Sequence, residues 1–593
     1  MKNNSNIKTN VGRTPNRPIP NNIAPTESEV RHRGILSFVD EHANGIAVVI
    51  MVLTALVGML LFSVRLDEGG DDSNYICRAL DLVADGTYPN FQNPLYPIFL
   101  SLCIVVGGGL SVVALKAMSL VLIVGAQAAF WFGLRRSMSR RLLLAAMLMI
   151  GVCPLWLRFG SLTYSEPLFA LFMMLSLGAV LRLDEWLRDS GWKRLALWGV
   201  LAGLALTLAF LTRTVGLGLW VAALGFLLVR RRWTQAGALV AGLALCMVCW
   251  YGIRAAAWGN VATEGQMQQL IQVHPYDPSQ GTETPVGFLK RLGGNAQLYL
   301  SKHYVHALGI GDPNDRETFA LVTVIVVCLM GWGTWRAWQR RNRTMLLVGI
   351  TTFCMLGITF LSLQVLWDQC RLVIPYVPLM HLLVLSALAD LIRRMSKANT
   401  TRVMMALVLI SSAALMGRSV SMSDLPTLQK NLTDDPLYGN TPDWYNYLTI
   451  CREVGNQLNS DSVFVACRKP DMARLTAGGK KFYGIYRVPS EDPDTLVNIL
   501  KTNGVTHVIV ASLRRDPLHK GLGIINTVHR YVSYIIHRYP RFIREIGHMG
   551  NADDEPAYIY ALDYKMAEPQ YAISPEEAER LFGGERDQTA EGQ

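Results

Sequence analysis

Long apolar runs dominate this chain from about residue 44 to about residue 420. A run of about 18 or more apolar residues is too long for an ordinary core helix and is typical of a membrane span. The composition agrees, with 51% hydrophobic and only 17% charged residues. We therefore predict a polytopic α-helical membrane protein with about eleven transmembrane helices, at residues 44–66, 112–134, 141–158, 164–186, 193–212, 214–229, 234–257, 318–338, 344–367, 371–392 and 401–420.

Basic residues cluster between the apolar runs, and they orient the predicted spans. Cytoplasmic loops of membrane proteins carry an excess of Lys and Arg. If the N-terminus is cytoplasmic, all five clusters fall on the cytoplasmic side. The clusters are Arg135, Arg136, Arg140 and Arg141; Arg188, Lys193 and Arg194; Arg230, Arg231 and Arg232; Arg336, Arg340, Arg341 and Arg343; and Arg393, Arg394, Lys397 and Arg402.

One further apolar segment, residues 94–108 (PLYPIFLSLCIVVGG), decides whether this orientation is consistent. It contains two prolines, ends in glycines and is about fifteen residues long, whereas a spanning helix needs roughly 20. Counting it as a span would move every later basic cluster to the other side. We therefore predict a re-entrant or interfacial helix here.

The predicted spans divide the chain into regions. Residues 1–43 are predicted to be a disordered cytoplasmic tail, because their first part is rich in Asn, Pro and basic residues. Residues 44–420 form the membrane domain, with outer loops at 67–93 and 258–317. Residues 421–565 read as a small extracytoplasmic α/β domain, and 566–593 as a flexible acidic tail.

The C-terminal region carries its own local signals. Residues 462–467 (SVFVAC) and 505–511 (VTHVIVA) are predicted strands, and residues 494–501 a predicted helix. Cys451 and Cys467 both fall in this region, and a disulfide between them stays open because its geometry is restrictive.

The formal net charge of +11 does not indicate a nucleic-acid partner. Much of the excess sits in the short basic clusters, where membrane orientation explains it. The sequence also contains no GxxxxGK[ST] loop and no GxGxxG between a strand and a helix, which are the common nucleotide-binding patterns. We therefore predict no nucleic-acid partner.

The first outer loop is rich in acids. Asp67, Glu68, Asp71 and Asp72 follow the first span within six positions. A short amphipathic helix comes next, with Ile76, Ala79, Leu80 and Val83 on one face and Gly86 after its end. Such a helix would lie on the membrane surface and hold Asp71 or Asp72 at a cavity mouth. Alternatively, one of these aspartates caps the helix.

Four arginines lie at the outer ends of predicted spans, against the charge rule: Arg158, Arg213, Arg254 and Arg371. Glu166 also lies at the outer start of a predicted span. Ionisable groups at membrane depth usually face a cavity or a partner, and converging arginines can grip a phosphate through parallel hydrogen bonds. The alternative is that each arginine reaches the outer headgroups or pairs with a local acid such as Asp368.

An acid facing several arginines suggests a group transfer. The aspartate would act as general base on an acceptor hydroxyl or amine, and the arginines would hold the phosphate of a lipid-linked donor. The acceptor would attack the anomeric carbon and polyprenyl phosphate would leave. A lipid-linked donor is favoured because nucleotide-binding patterns are absent from the sequence.

Several short motifs carry a family resemblance. They are Asp71, Asp72, Tyr75, Ala79 and Gly86; Asn93 to Pro97 (NPLYP); Ser165 and Glu166; Arg213; Trp250 and Arg254; and Gln369 to Arg371 before IPYVP. With them, the chain resembles GT-C-fold integral-membrane glycosyltransferases, particularly the bacterial branch related to protein O-mannosyltransferases and the lipid A aminoarabinose transferase. It departs from their pattern at Asp72, usually Glu; at Asn93, usually Pro; and at Leu372, usually Tyr.

The resemblance implies an inverting sugar transfer from a polyprenyl-phosphate donor to an extracytoplasmic glycan, lipid or protein acceptor, with membrane lipid around the protein. It implies Asp71 as the catalytic base, with Asp72 beside it. Tyr75, Glu166 and the arginines Arg158, Arg213, Arg254 and Arg371 would form the substrate-binding set. The sugar and the metal dependence stay open, since four nearby carboxylates are able to bind a divalent ion.

Two other classes of function compete with this interpretation. A transporter or flippase for a lipid-linked or anionic envelope precursor would also place arginines in a cavity, although such proteins often show internal repeats. A non-enzymatic envelope protein would use its C-terminal domain for binding, and the acidic loop would then be incidental.

Overall fold

The structure is a computed structural model. It describes residues 37–90, 93–186, 191–259, 261, 270–274, 280–311, 317–364, 367–395, 399–515, 523–551 and 555–582. The helices of the first part are α1 Ala43–Leu60, α2 Asp71–Asp85, α3 Leu95–Val106, α4 Val112–Leu134, α5 Arg140–Gly151, α6 Pro154–Leu157, α7 Glu166–Asp184, α8 Trp192–Thr212, α9 Leu217–Val229, α10 Trp233–Trp258, α11 Pro285–Leu298, α12 Tyr304–Ala307, α13 Ala320–Gln339, α14 Arg343–Ser362, α15 Val377–Met395 and α16 Thr400–Ser421.

Nine of the helices in the described ranges are long and apolar enough to cross a membrane, namely α1, α4, α7, α8, α10 and α13 to α16. The predicted polytopic helical fold is therefore confirmed. The predicted span 141–158 is broken: α5 and the segment Pro154–Ser161 meet at 64°. Pro154 begins the second piece, because its ring fixes φ at a helical value but supplies no backbone N–H. The predicted span 214–229 is a shorter apolar helix, Thr214–Val229.

Helix α3 does not carry the chain across the bundle. The Lys116 ammonium, in the second turn of α4, donates to the carbonyl oxygen of Arg65, just after α1. Helix α1 therefore ends on the side where α4 begins. The segment between α1 and α4, which contains the 12-residue helix Leu95–Val106, therefore begins and ends on the same side, as predicted for residues 94–108.

The two sides of the bundle differ in charge. We call the side that holds Arg65 and the C-terminal domain the domain side, and the opposite side the basic side. Arg135 donates to Asn44 at the start of α1, and Arg230 Nε lies 2.9 Å from Asp184 Oδ1 at the end of α7. Since the spans alternate in direction, the described members of all five basic clusters lie on the basic side. Arg188 and Lys397 are outside the described residues.

The C-terminal domain is a mixed sheet flanked by helices. Its elements are α17 Leu425–Thr433, α18 Pro442–Gln457, β1 Val465–Cys467, α19 Pro470–Thr476, β2 Phe482–Gly484, α20 Pro493–Thr502, β3 His507–Ala511, β4 Leu513–Arg514, β5 Ile524–Ile525, α21 Thr527–Ile536, β6 Ile543–Met549, β7 Ala557–Leu562 and α22 Pro575–Phe582. The main sheet has the order β2-β1-β3-β7-β6. Strands β2, β1 and β3 are parallel, and β7 is antiparallel to both β3 and β6.

Two apolar layers cover this sheet. Trp444 and Tyr447 of α18 pack on one face, and Leu496 of α20 and Tyr531 of α21 on the other. The predicted strands and helix of this region appear as β1, β3 and α20, each within a few residues of its predicted bounds. Cys451 and Cys467 are both buried free thiols.

The predicted tails are described only in part. Residues 37–41 of the N-terminal tail are helical, and residues 1–36 lie outside the described residues. In the predicted C-terminal tail, Pro575–Phe582 forms α22, and residues 583–593 lie outside the described residues.

Candidate active site

Helix α2 begins at the predicted acid, on the domain side. Gly70, the residue before the helix, has φ 86°, a left-handed conformation that glycine adopts without steric cost. Asp71 is the first helical residue, where the helix dipole favours a carboxylate. Its Oδ2 accepts from Arg371 Nη1 at 2.5 Å, and 35% of its side chain stays exposed. Asp71 is thus accessible and paired with a predicted arginine.

Asp72 has a different environment, although it is the next residue. Its side chain is fully buried and accepts from the backbone N–H groups of Asp67 at 2.9 Å and Ser73 at 2.6 Å. Lys116 Nζ lies 4.0 Å away. Burial raises the pKa of the Asp72 carboxyl, and the Lys116 ammonium opposes that shift. The carboxylate holds the loop before α2 in place and has no open face toward a substrate.

A ring and two further charged groups surround the Asp71–Arg371 pair. The Arg371 guanidinium lies over the Tyr164 ring, 5.1 Å from its centroid. The Tyr164 hydroxyl donates to Asp67, and Arg158 Nη2 lies 3.7 Å from Asp67 Oδ1. The predicted Arg158 and Arg371 therefore meet at one site, although their helices are far apart in sequence.

A second, deeper group contains the predicted Tyr75, Glu166 and Arg213. Arg213 Nη1 lies 2.6 Å from Glu166 Oε1 and 3.0 Å from the Ser165 hydroxyl. The Tyr75 hydroxyl lies 3.2 Å from the same Ser165 oxygen. These side chains satisfy one another's hydrogen-bonding groups. The structure therefore brings the three predicted residues together in a buried polar network.

Two basic residues that the sequence interpretation missed lie beside this site. They belong to a π-helix, Tyr299–His303, in the loop before α13. Lys302 Nζ lies 2.6 Å from Asp368 Oδ2, and His303 Nε2 lies 2.8 Å from Asp368 Oδ1. The hydrogen bond from His303, followed by that from Lys302, holds the pKa of Asp368 well below its usual range. Asp368 stands three residues before Arg371, so Lys302 and His303 both contact the loop that leads to Arg371.

The C-terminal domain also reaches the site. Lys469, just before α19, donates to the carbonyl oxygen of Gly69 at 2.8 Å. Asp471 accepts from Asn74 at 2.9 Å, and Arg474 lies 2.9 Å from Asp81, so α19 is fixed along α2. Burial and the neighbouring Arg468 lower the pKa of Lys469 to about 8. No local sequence signal marks Lys469, because its position depends on how the two domains dock.

Arg254 is the predicted residue that the structure places elsewhere. Its guanidinium lies 5.0 Å from the Tyr88 ring centroid and donates to the carbonyl oxygen of Val261. These contacts lie beyond the far end of α2 from Asp71. Arg254 therefore packs against the loop after α2, and none of its described contacts involves the Asp71–Arg371 pair.

The acidic residues of the first loop do not converge on one point. Asp67 accepts a hydrogen bond from Tyr164, Asp71 pairs with Arg371, and Asp72 lies 4.0 Å from the Lys116 ammonium. Within the described ranges, no group of three or more His, Cys, Asp and Glu side chains is arranged to hold a metal ion. We therefore assign no metal ligands.

The arrangement of the long apolar helices, the short helices on the domain side and the C-terminal domain matches a known architecture. ArnT from Cupriavidus metallidurans, in a crystal structure bound to undecaprenyl phosphate, superposes with a TM-score of 0.52 over 89% of this chain and 99% of that chain. The chain has a GT-C fold. The two sequences are 14% identical, so the likeness concerns the fold. No protein-family model matches the sequence, and no curated protein matches it significantly.

Proposed function

We propose that this chain is a membrane glycosyltransferase that moves a sugar from a polyprenyl-phosphate donor to an acceptor hydroxyl or amine. The observation that carries the proposal is the accessible Asp71 carboxylate bonded to Arg371, with Arg158 and Lys302 nearby. The GT-C fold and the lipid phosphate that the ArnT structure binds support a lipid-linked donor.

In this proposal Asp71 is the general base. A carboxylate that is partly exposed is able to reach an acceptor hydroxyl, and it takes the proton as the acceptor oxygen attacks the anomeric carbon. The bond from that carbon to the phosphate oxygen breaks, and the configuration inverts because attack and departure occur on opposite faces. Arg371 and Arg158 stabilise the negative charge of the departing phosphate.

The Asp71–Arg371 pair suggests how donor binding prepares the base. A guanidinium binds a phosphate through two parallel hydrogen bonds. A donor phosphate at Arg371 therefore competes with Asp71 for the same nitrogen atoms. Once Arg371 turns to the phosphate, Asp71 is free to accept a proton, and this occurs only when a sugar is in place.

We further propose that the domain side is extracytoplasmic and the N-terminus cytoplasmic. The basic clusters on the opposite side support this orientation. We expect alkaline phosphatase fused after residue 593 to be active, since that enzyme folds only outside the cytoplasm. Activity of a cytoplasm-dependent reporter at the same position would reverse the orientation.

The direct test uses the purified full-length chain in detergent and a synthetic polyprenyl-phosphate donor with a radiolabelled sugar. Membranes from a strain that lacks the protein serve as acceptor. We expect loss of label from the donor, release of polyprenyl phosphate and appearance of label in the acceptor fraction. Movement of intact donor across vesicle bilayers, without cleavage, would instead support a transporter or flippase.

Arg371→Ala is expected to weaken donor binding by at least about 30-fold, the equivalent of about 2 kcal/mol for loss of one partner of a desolvated charge pair. The measurement is the donor KM or its Kd in the same assay. Arg254→Ala is the matched control, because Arg254 contacts Tyr88 and Val261 instead. An unchanged donor affinity in the Arg371 variant would remove it from the phosphate site.

A further inference from the structure

A polar cavity of about 190 Å³ lies where the two domains meet. Its walls come from α2, from the loop after it and from the first turn of α19. The lining residues used below are Asn74, Arg78, Asp81, Tyr88, Asn90 and Asp471. A space that holds one water has about 10–15 Å³, so this cavity accommodates a group of many atoms.

The cavity shares a helix face with the proposed base. Asp71, Asn74, Arg78 and Asp81 follow one another at spacings of three and four residues, which places them on one face of α2. Arg78 stands two turns from Asp71, roughly 10 Å along the helix axis. A molecule with one group at Asp71 is thus able to extend along α2 into the cavity.

The walls combine donors and acceptors at close range. Arg78 Nε donates to Asn74 Oδ1 at 2.8 Å, and Asn74 Nδ2 donates to Asp471 Oδ2 at 2.9 Å. Asn90 adds an amide, which both donates and accepts. Such walls match hydroxyl groups, since each hydroxyl also donates and accepts, and they do not match an acyl chain.

The charges and the aromatic ring narrow the ligand class further. Asp81 and Asp471 line the cavity with Arg78, while Arg474 and Lys481 lie 2.9 Å and 3.6 Å from Asp81. The acids and bases at this cavity therefore balance, and no excess of positive charge is left to hold a phosphorylated headgroup. Tyr88 lines one wall and packs against Trp258 with ring centroids 5.2 Å apart. The Arg254 guanidinium also lies over this ring, so Tyr88 is a fixed apolar wall. Such a wall beside amides and carboxylates suits the C–H groups and the hydroxyls of a sugar ring.

We infer that this cavity binds a saccharide unit of the acceptor, so that the acceptor is a glycan or the sugar headgroup of a glycolipid. This inference rests on the proposed glycosyl transfer, because it assigns the second substrate of that reaction. The C-terminal domain supplies Asp471, so acceptor binding depends on both domains. The nucleophilic hydroxyl lies at Asp71, and the neighbouring sugar occupies the cavity.

The test measures the acceptor KM with saturating radiolabelled polyprenyl-phosphate sugar and membranes of the deletion strain as acceptor. Arg78→Met is expected to raise the acceptor KM about ten-fold, and Asn90→Ala about three-fold, as loss of one charged or one neutral hydrogen bond predicts. The donor KM is expected to stay unchanged in both. Arg487→Met, at an exposed position of the C-terminal domain, is the control and should leave both KM values unchanged.

Chemical treatment of the same membranes identifies the acceptor class. Transfer is expected to survive protease digestion and to be lost after periodate oxidation, which cleaves vicinal diols of sugars. Transfer to a protease-sensitive, periodate-resistant acceptor would overturn the saccharide assignment. An unchanged acceptor KM in both folded variants would overturn the assignment of this cavity as the acceptor site. Absence of any transfer by the unmodified chain would instead contradict the proposed function itself.

Discussion

Asp71→Asn is expected to lower the rate of sugar transfer by about 10²–10⁴-fold, the usual contribution of a general base. The amide has nearly the same size but does not take a proton from the acceptor. Because Asp71 is partly exposed at the start of α2, the substitution removes no core packing. We therefore expect the loss to appear in kcat. The donor KM should not rise, because a donor phosphate at Arg371 no longer competes with the Asp71 carboxylate.

The matched control for this variant is Asp85→Asn. Asp85 is the last residue of α2, and its side chain is 56% exposed beside Lys481. Its neutralisation is expected to leave kcat unchanged, which would show that charge removal from α2 is not by itself inhibitory. Full activity in folded Asp71→Asn protein would show that a different group, or no protein base, accepts the proton.

The fold was accessible from the sequence because membrane spans have a strong local signal. Each span makes its backbone hydrogen bonds within its own helix and needs about 20 apolar residues. The distribution of Lys and Arg then assigns the helix ends to the two sides of the membrane. The same reasoning explains why Leu95–Val106 was separated from the spans, since it is too short and ends at glycines. The break in 141–158 was missed because apolar composition is the same on both sides of Pro154.

Only part of the candidate site could be predicted from the sequence. Asp71 and Asp72 carry the same carboxyl group in adjacent positions, and only the fold decides that one faces Arg371 and the other Lys116. Lys302 and Lys469 reach the site through a π-helix and through domain docking. Both depend on contacts between residues distant in sequence, which no local pattern encodes. Arg254 satisfied the sequence criterion as well as Arg371, yet its helix ends beside Tyr88.

Lys116 offered a signal that the sequence interpretation did not use. It is a charged residue inside the apolar segment VVALKAM of α4, and such residues are rare unless they face a partner. The partner is Asp72, and both side chains are fully buried. The pair therefore joins the membrane bundle to the loop that carries Asp71, and its role is structural.

Lys116→Ala is expected to destabilise the protein by about 3–5 kcal/mol, because removal of one partner leaves the other charge buried and uncompensated. The readout is the apparent Tm of the purified protein in detergent, together with the yield of monodisperse protein. Lys116→Ala combined with Asp72→Asn is expected to recover most of the loss, since neither residue is then charged. Equal losses in the single and double variants would show that packing, and not charge, accounts for the effect.

The pH dependence of the Lys116→Ala variant separates these explanations further. Burial already raises the pKa of Asp72, and removal of the ammonium that opposes this shift raises it more. The folded state then binds a proton that the unfolded state has released. Stability is therefore highest at low pH and falls as the pH rises from about 4, the ordinary aspartate pKa, through the raised pKa of Asp72. The double variant carries no ionisable group at either position, so its Tm should not show this decline. If the Tm of the single variant also stayed level across that range, Asp72 would not be the buried charge that Lys116 compensates.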